Sequence, residues 1–421
     1  MSTRSWSLIA RRSAPILMEP DWVTPLDEWD DPRLVEVARG THRHVVKFLA
    51  LDDGVYALKE LPNDDAMREY RLLGSMTQDG LPVVERVGVV RRDHLDDVLI
   101  TRYLDYSLPY RHLFSQRWGT MKNTSELVFK LLDAMALLMV RVHLRGYYWG
   151  DCSLNNALLK RDGGELTAYV VDMETGEHHP SLTNGQRESD LEITEMNVAG
   201  GLMDVAAELG IDDGPDPLEV VTELRHRYER LWDELTVEQI VGVNERYKID
   251  QRIRRLNDLG FHVDEVEVVP IEGSEGGVMR MRALVTERGH HAGELLNLTG
   301  IHAQENQARL MLNDINSFRS WAESDAGRSI PRSVAAFRWL NEVFEPMQQA
   351  IPDDMKDRLE PVEVFLEVLR HKWHLSEQEG HDVGNDIALA SYIDTILPDA
   401  PTERVVVADD PELETGWIGF G

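Results

Sequence analysis

The spacing of apolar residues changes twice along the 421-residue chain, and these changes constrain the fold more than any single motif. Short runs with strand-like alternation fill residues 31–105, which predicts a β-rich lobe. Residues 106–213 have a mainly helical pattern with a short β insertion. Residues 214–400 form a series of amphipathic helices with one hairpin pattern among them. The sequence therefore predicts an α+β fold of two lobes, followed by a mainly helical C-terminal domain.

The two ends of the chain are expected to be less ordered than these regions. Residues 1–30 are predicted to form a loosely ordered lead-in. Residues 401–421 are assigned to an acidic tail, whose end "ADDPELETGWIGFG", residues 408–421, is expected to be mobile.

The chain is strongly acidic, with 75 Asp and Glu residues, 44 Lys and Arg residues and a formal net charge of −31. Such a charge repels nucleic acid and anionic membrane surfaces, so neither is an expected partner. No stretch reaches the roughly 18 apolar residues that an integral membrane segment needs, and Arg11 and Arg12 interrupt the N-terminal apolar stretch. A single cysteine excludes an internal disulfide and favours a reducing compartment, so a cytoplasmic protein is expected.

The stretch "HLRGYYWGDCSLNNALL", residues 143–159, crowds an aspartate and two asparagines between apolar segments. Three other segments place a charged residue in a strand or helix pattern or directly after one, namely "VYALKE" with Lys59, "AMREYRLL" with Glu69 and "VVDMETG" with Asp172. Taken in their order along the chain, the four segments resemble the protein-kinase-like superfamily over roughly residues 33–213. The motif positions that match are Val142-His143, Gly146, Tyr147-Tyr148, Trp149-Gly150-Asp151 and Asn156.

The resemblance implies an ATP- and magnesium-dependent phosphotransferase that acts on a hydroxyl group. Asp151 takes the position of the catalytic aspartate beside the acceptor, and Asn156 and Asp172 take those of the magnesium ligands. Lys59 corresponds to the lysine that binds phosphate oxygens, with Glu69 as its partner. Phosphoryl transfer needs these residue types because the phosphate charge must be balanced by cations and by the lysine.

The resemblance also assigns residues to nucleotide binding. The base is expected against the hinge after "VLIT", where the contacting residues would be Arg102, Tyr103 and Leu104. The phosphate loop "VARGTHRHVV" has one glycine, Gly40, where the superfamily has three. Arg39 and Arg43 are therefore expected to contact phosphate through their side chains.

Several departures from protein kinases indicate a small-molecule kinase. Gly150 replaces the arginine that pairs with an activation-loop phosphate, so switching by phosphorylation is not expected. Glycine there, and Met173-Glu174 in place of Phe-Gly, are familiar in aminoglycoside, choline and lipopolysaccharide kinases. Trp149 replaces the usual histidine, and Ser153 replaces a residue that reaches the γ-phosphate.

Some assignments stay open at the sequence level. Asn155 is an alternative metal ligand, although the five-residue spacing after Asp151 favours Asn156. Glu174 is either a further metal ligand or a solvated turn residue. Asp190, in "ESDLEI", is expected to anchor the catalytic loop from the next helix, and Cys152 is expected to be a buried thiol.

The second half resembles an uncharacterised bacterial domain found attached to lipopolysaccharide-kinase-like domains. The segments that carry this resemblance are "LTGIHAQENQARLMLNDINSFR" and "HKWHLSEQEGHDVGNDIALASYIDTILP". No activity comes with that family, and a protein partner is possible through this domain. The polar residues 304–307 are expected on a solvated or interdomain face.

Two rival hypotheses accompany the kinase reading. A pseudokinase would bind a nucleotide or nothing and would signal through its C-terminal domain; Trp149, Ser153 and the degenerate glycine loop favour it. A winged-helix nucleic-acid binder at residues 216–290 would use the basic helix "KIDQRIRRLNDLG" and a hairpin. The net charge and the acidic hairpin weigh against that binder. The acceptor hydroxyl, on a sugar, a glycolipid or a protein, stays open.

Overall fold

The computed structural model describes residues 5–10, 15–37, 44–62, 64–117, 126–210, 214–237, 239–242, 246–258, 265–270, 278–284 and 290–405. The chain divides into two compact units. The first unit comprises Met1–Lys160, Thr167–Arg225 and Pro401–Gly421. The second unit comprises Arg161–Leu166 and His226–Ala400.

A six-stranded sheet forms the N-terminal part of the first unit, in the order β1-β5-β6-β4-β3-β2. All of its strand pairs are antiparallel. Its strands are β1 (Trp6–Ala10), β2 (Leu34–Val35), β3 (Val46–Leu51), β4 (Gly54–Leu61), β5 (Arg86–Arg92) and β6 (Asp97–Arg102). Helix α1 (Asp65–Gln78) connects β4 to β5. The β-rich lobe predicted from the alternation of apolar residues is therefore present.

Side chains alternate across this sheet and give it two different faces. The N-terminal segment covers one face, whose buried residues are Leu17, Trp22, Leu26, Trp29, Leu49, Tyr56, Leu58, Val90, Val98 and Ile100. The opposite face carries Lys59 of β4 and a smaller apolar cluster of Val37, Val55 and Tyr103. One face is thus packed into an apolar core, and the other carries the side chain of Lys59.

The expectation of a loosely ordered lead-in is wrong for the described part of residues 1–30. Strand β1 pairs with β5 from Trp6 opposite Arg92 to Ala10 opposite Gly88. Trp22 is fully buried, and its indole N–H donates to the Leu17 carbonyl oxygen at 2.8 Å. These residues complete the sheet and its core.

Helices and short strands form the rest of the first unit. The helices are α2 (Tyr110–Arg117), α3 (Glu126–Leu144), α4 (Asn184–Leu209) and the start of α5 (Pro217–Thr236). The strands are β7 (Ser107–Pro109), β8 (Tyr147–Tyr148), β9 (Ala157–Asp162), β10 (Glu165–Val170) and β11 (Glu177–His178), except that Arg161–Leu166, at the turn between β9 and β10, belong to the second unit. Strands β10, β9 and β7 form one small sheet, and β11 and β8 form another. This is the predicted helical lobe with a short β insertion.

The second unit is mainly helical, as the sequence predicts. Its helices are α6 (Arg246–Asp258), α7 (His290–Thr299), α8 (Glu305–Ala326), α9 (Arg332–Trp339), α10 (Glu345–Ala350), α11 (Pro361–Glu379) and α12 (Asn385–Thr395). A three-stranded sheet of β12 (Gln239–Gly242), β13 (Glu265–Pro270) and β14 (Val278–Leu284) has the order β12-β14-β13. The helical core centres on Trp339, Phe344 and Phe365, whose rings lie 5.3–5.7 Å apart. No helix in the described part of the chain could cross a membrane.

A buried hydrogen-bond network in the second unit surrounds Gln307 of α8. Its side-chain amide donates to Glu363 Oε2 at 2.8 Å and to the Arg161 carbonyl oxygen at 3.2 Å. Its backbone N–H donates to Asp162 Oδ1 at 2.8 Å. Gln307 is fully buried, so it does not lie on a solvated face. These bonds join Arg161 and Asp162, directly before the turn between β9 and β10, to helix α8 of the second unit, to which both residues belong.

Changing Gln307 to leucine is expected to destabilise the second unit by about 2–3 kcal/mol, because the buried Glu363 carboxylate loses a donor. The shift of the urea unfolding midpoint measures this change. Ser317→Ala on the exposed side of α8 is the matched control and should change stability by less than about 0.5 kcal/mol. Equal midpoints for the two variants would show that the network contributes nothing.

Candidate active site

Lys59 lies among three carboxylates on the face of the six-stranded sheet that the N-terminal segment does not cover. Its ammonium nitrogen is 2.6 Å from Asp172 Oδ2, 3.1 Å from Glu69 Oε2 and 3.3 Å from Glu174 Oε2. Strand β4 supplies the lysine, α1 supplies Glu69, and the segment after β10 supplies Asp172 and Glu174. The structure thus brings together three residues that the sequence assigned to one site, although they lie up to 113 positions apart.

Burial and charge act in opposite directions on this cluster. Burial lowers the pKa of Lys59, but the neighbouring Glu69 and Asp172 charges outweigh it, and the net pKa is raised above its usual value. Burial, followed by the negative charge of Asp172, raises the pKa of Glu69. The lysine therefore stays protonated.

Glu174 belongs to this cluster and is not a solvated turn residue. Its carboxylate lies within 3.0–3.3 Å of both His44 Nε2 and the Lys59 ammonium. Its backbone N–H donates to Asp172 Oδ1 at 2.9 Å. The solvated alternative is thereby excluded, and the alternative that Glu174 is a metal ligand stays a prediction.

Helix α4 holds the backbone of the loop that carries Asp151. The carboxylate of Asp190 is fully buried and accepts the backbone N–H groups of Trp149 at 2.6 Å and Gly150 at 2.8 Å. His143 Nε2 lies 3.1 Å from the same carboxylate. The anchoring contact expected for Asp190 is confirmed.

Positions 149 and 150 each have a structural reason for their residue. Gly150 has a φ of +75°, and an added Cβ would lie 3.0 Å from the Tyr148 ring and 3.3 Å from the Thr175 carbonyl oxygen. Only glycine adopts this conformation without strain. The Trp149 indole N–H donates to the Asp172 carbonyl oxygen at 2.8 Å, so the tryptophan links the loop to the Lys59 cluster.

Asp151 and Asn156 contact each other across their loop. The Asn156 amide nitrogen donates to the Asp151 carbonyl oxygen at 2.8 Å and lies 3.3 Å from Asp151 Oδ2. This orientation leaves the amide oxygen as the atom of Asn156 that can bind a cation. The Asn155 Oδ1 atom is buried and has no hydrogen-bond partner, so Asn155 stays an alternative ligand.

Asn197 is a site residue that the sequence reasoning missed. Its amide nitrogen donates to Asp151 Oδ1 at 3.0 Å and to the Cys152 carbonyl oxygen at 3.3 Å. It follows Asp190 by seven residues, or two helical turns, and therefore lies on the same side of α4. That spacing was the only signal available. The helix thus contacts four consecutive loop residues, 149–152.

Cys152 is a buried thiol, as expected. Burial raises the pKa of the thiol well above its usual value. Such a thiol is protonated at neutral pH and is a poor nucleophile.

The residues expected to contact the nucleotide differ in where the structure places them. Arg39, Gly40 and Arg43 lie outside the described residues. The Arg102 side chain contacts Asp53 and the Tyr56 ring, on the face opposite to Lys59. The Tyr103 side chain lies on the lysine's face, and the Leu104 carbonyl oxygen accepts from Ser107 Oγ at 2.5 Å.

Among the described residues, no group of three or more His, Cys, Asp or Glu side chains could hold a metal ion. The oxygens that Asn156 and Asp172 offer are an amide and a carboxylate. Hard oxygen ligands of this kind fit magnesium, which commonly takes one or two protein oxygens and completes its shell with phosphate and water.

Comparison with known proteins identifies two matching families. Residues 48–198 match the lipopolysaccharide kinase (Kdo/WaaP) family, and residues 230–397 match a domain of unknown function, DUF4032. These matches confirm the resemblance to lipopolysaccharide-type kinases with an attached uncharacterised domain. No curated protein matches the chain. One similar solved structure, "WaaP in complex with acyl carrier protein", is 17% identical with a TM-score of 0.30, and the match covers 53% of this chain and 88% of that chain.

Proposed function

We propose that this chain transfers the γ-phosphoryl group of ATP to an alcohol hydroxyl in a magnesium-dependent reaction. The observation that carries the proposal is the Lys59 ammonium paired with Glu69 and Asp172, in a region that matches the lipopolysaccharide kinase family. The loop with Asp151 and Asn156 is joined to the Asp172 segment by two hydrogen bonds, from Trp149 Nε1 and to the Asn156 carbonyl oxygen.

Lys59 binds phosphate oxygens in this proposal. Its ammonium is held in place by Glu69, which is buried on α1. A fixed positive charge at this position stabilises the charge that spreads over the transferred phosphoryl group.

Asp151 orients the acceptor hydroxyl and takes its proton. The acceptor oxygen then forms a bond to the γ-phosphorus, the bond between that phosphorus and the β–γ bridging oxygen breaks, and ADP leaves. Asn197 and Asn156 contact the Asp151 carboxylate and hold its direction. Proton transfer to a positioned carboxylate typically accelerates a reaction about 10²–10⁴-fold.

Asn156 and Asp172 are the residues that would hold magnesium. When bound, magnesium neutralises the phosphate oxygens and orients the leaving group. The carboxylate of Asp172 lies beside Lys59, so both cations would face the same phosphates. The acceptor that the family match favours is a hydroxyl of a sugar or glycolipid head group; fold likeness alone does not decide it.

Titration of the full chain with ATP, with and without magnesium, tests the proposal when followed by an assay of ADP release. We expect ATP to raise the melting temperature, magnesium to increase that rise, and Lys59→Met to remove most of it. Lys47→Met on the neighbouring strand β3 is the matched control. Binding without ADP release to water, sugar or protein would favour the pseudokinase. No binding by the parent chain would overturn the phosphotransferase and would leave only a scaffold that binds no nucleotide.

The nucleic-acid alternative loses one of its basic residues in the structure. Arg252 on α6 is 1% exposed, and its guanidinium donates to the carbonyl oxygens of Glu234 and Val237. A buried arginine with these partners does not reach a phosphate backbone. A salt-dependent mobility-shift assay should therefore detect no binding to the second unit's basic helix.

Asn197→Asp is expected to lower the rate of ADP release at least about tenfold while leaving ATP binding unchanged. The change replaces a donor to Asp151 with a carboxylate that repels it. Asn184→Asp, near the start of the same helix and exposed, is the matched control. Parallel losses of kcat and ATP affinity, or of the melting temperature, would instead indicate a general structural role.

A further inference from the structure

The start of the C-terminal tail is part of the first unit. The chain returns to it at Pro401, and Glu403 is only 1% exposed. The Arg404 carbonyl oxygen accepts the backbone N–H of Tyr106 at 3.1 Å. Val405 packs against the apolar cluster of Val37, Val55 and Tyr103. Residues 401–405 are thus held against the first unit, whereas the stretch expected to be mobile, residues 408–421, lies outside the described residues.

The cluster that Val405 contacts lies on the same face of the sheet as Lys59. Residues 55, 57 and 59 alternate along β4 and so point to one side. Phe48 of β3 pairs with Ala57 and packs at the edge of the same cluster. Tyr103, directly after β6, contacts Phe48 edge-on, with ring centroids 6.0 Å apart.

Val37, Val55 and Tyr103 in this cluster are only 4–9% exposed, but Phe48 and Ala57 beside them are half-buried and offer an apolar surface for a nucleotide base. It is apolar, and pockets for small ligands are mostly apolar with a few polar groups at one side. Val55 precedes Lys59 by four residues, which places it about 13 Å from the lysine along the strand. A nucleoside triphosphate can span that distance with its base at the cluster and its phosphates at the ammonium.

We propose that residues 401–405 form one wall of the nucleotide-base pocket, with Val405 as the residue that contacts the base. The proposal rests on the proposed phosphotransferase function and adds a binding residue from the far end of the chain. The hydrogen bond from Tyr106 and the contact of Val405 with the Tyr103 cluster fix the tail beside Tyr103, one of the residues expected at the base. A purine base then lies against Phe48 and Ala57 on one side and Val405 on another.

Calorimetric titration of the full chain with three probes, ATP, adenosine and tripolyphosphate, separates the base from the phosphates. Val405→Ala is expected to weaken binding of ATP and adenosine by about threefold to tenfold, because apolar contact is lost, and to leave tripolyphosphate binding unchanged. Thr402→Ala on the same segment is the matched control and should bind all three like the parent. A chain ending at Val405 should keep adenosine binding, whereas a chain ending at Ala400 should lose it.

Each outcome decides the proposal. Equal binding of adenosine by the parent and Val405→Ala, in a parent that binds ATP, overturns the tail proposal and leaves the phosphotransferase proposal intact. Tighter binding by Val405→Ala also overturns it, because the tail would then cover the pocket and compete with the base. A parent that binds neither ATP nor adenosine overturns both proposals. If the chain ending at Ala400 fails to fold, Val405→Ala alone decides.

Discussion

Asp151→Asn is expected to reduce phosphate transfer at least about a hundredfold while ATP binding in magnesium stays within about twofold of the parent. The asparagine has nearly the same shape, and its amide oxygen can still accept from Asn197. It cannot take a proton from the acceptor. The rate of ADP release measures the first effect, and calorimetric titration with ATP measures the second.

Asp204→Asn is the control for this change. Asp204 is exposed on α4, and its replacement removes the same charge. It should leave both rate and binding unchanged. If Asp151→Asn keeps more than about a tenth of the parent's rate, the carboxylate is not the proton acceptor, and another group near the loop must orient the hydroxyl.

The residues of the candidate site that could be predicted lie in short segments with fixed spacing. Asp151 and Asn156 are five residues apart in one loop, and Lys59 lies in a strand with strong alternation. Such residues can be predicted because a short loop and a strand position each determine the direction of a side chain from local sequence alone. The same holds for Asp190, whose anchoring contact was expected from its position in the next helix.

The contacts of strand β1 and of residues 401–405 could not be predicted, because both segments depend on distant partners. Strand β1 is completed by β5, about 80 residues later, and the tail is held by Tyr106. The apolar pattern of the segment "WSLIA" does not predict the strand with which it pairs. A short amphipathic segment is stable only when a sheet offers it an edge and an apolar face.

Single polar residues on helices were the other limit of prediction. Asn197 and Gln307 each look like ordinary helix residues in the sequence, but one contacts Asp151 and the other is the centre of a buried network. Their importance comes from the partner that the fold brings to them. A buried amide requires such partners, yet the sequence does not reveal which amides will be buried.

Asp172→Asn is expected to retain the fold and to reduce the magnesium-dependent increase in ATP affinity by about tenfold or more. A neutral amide cannot balance a divalent cation as a carboxylate does. The amide oxygen can still accept the backbone N–H of Glu174, which preserves the turn. The ratio of ATP dissociation constants without and with magnesium, measured for parent and variant, reports this effect directly.

Glu174→Gln distinguishes the metal ligand from its neighbours. Both carboxylates contact Lys59, so either change weakens the attraction around the lysine, but only a true ligand alters the magnesium ratio. If Glu174→Gln lowers that ratio as much as Asp172→Asn, both residues bind the ion. If only Asp172→Asn lowers the magnesium ratio, Glu174 does not bind the ion and its role is to hold Lys59 and His44. A full magnesium ratio in Asp172→Asn would mean that the cation is held elsewhere, and the assignment of Asp172 would be wrong.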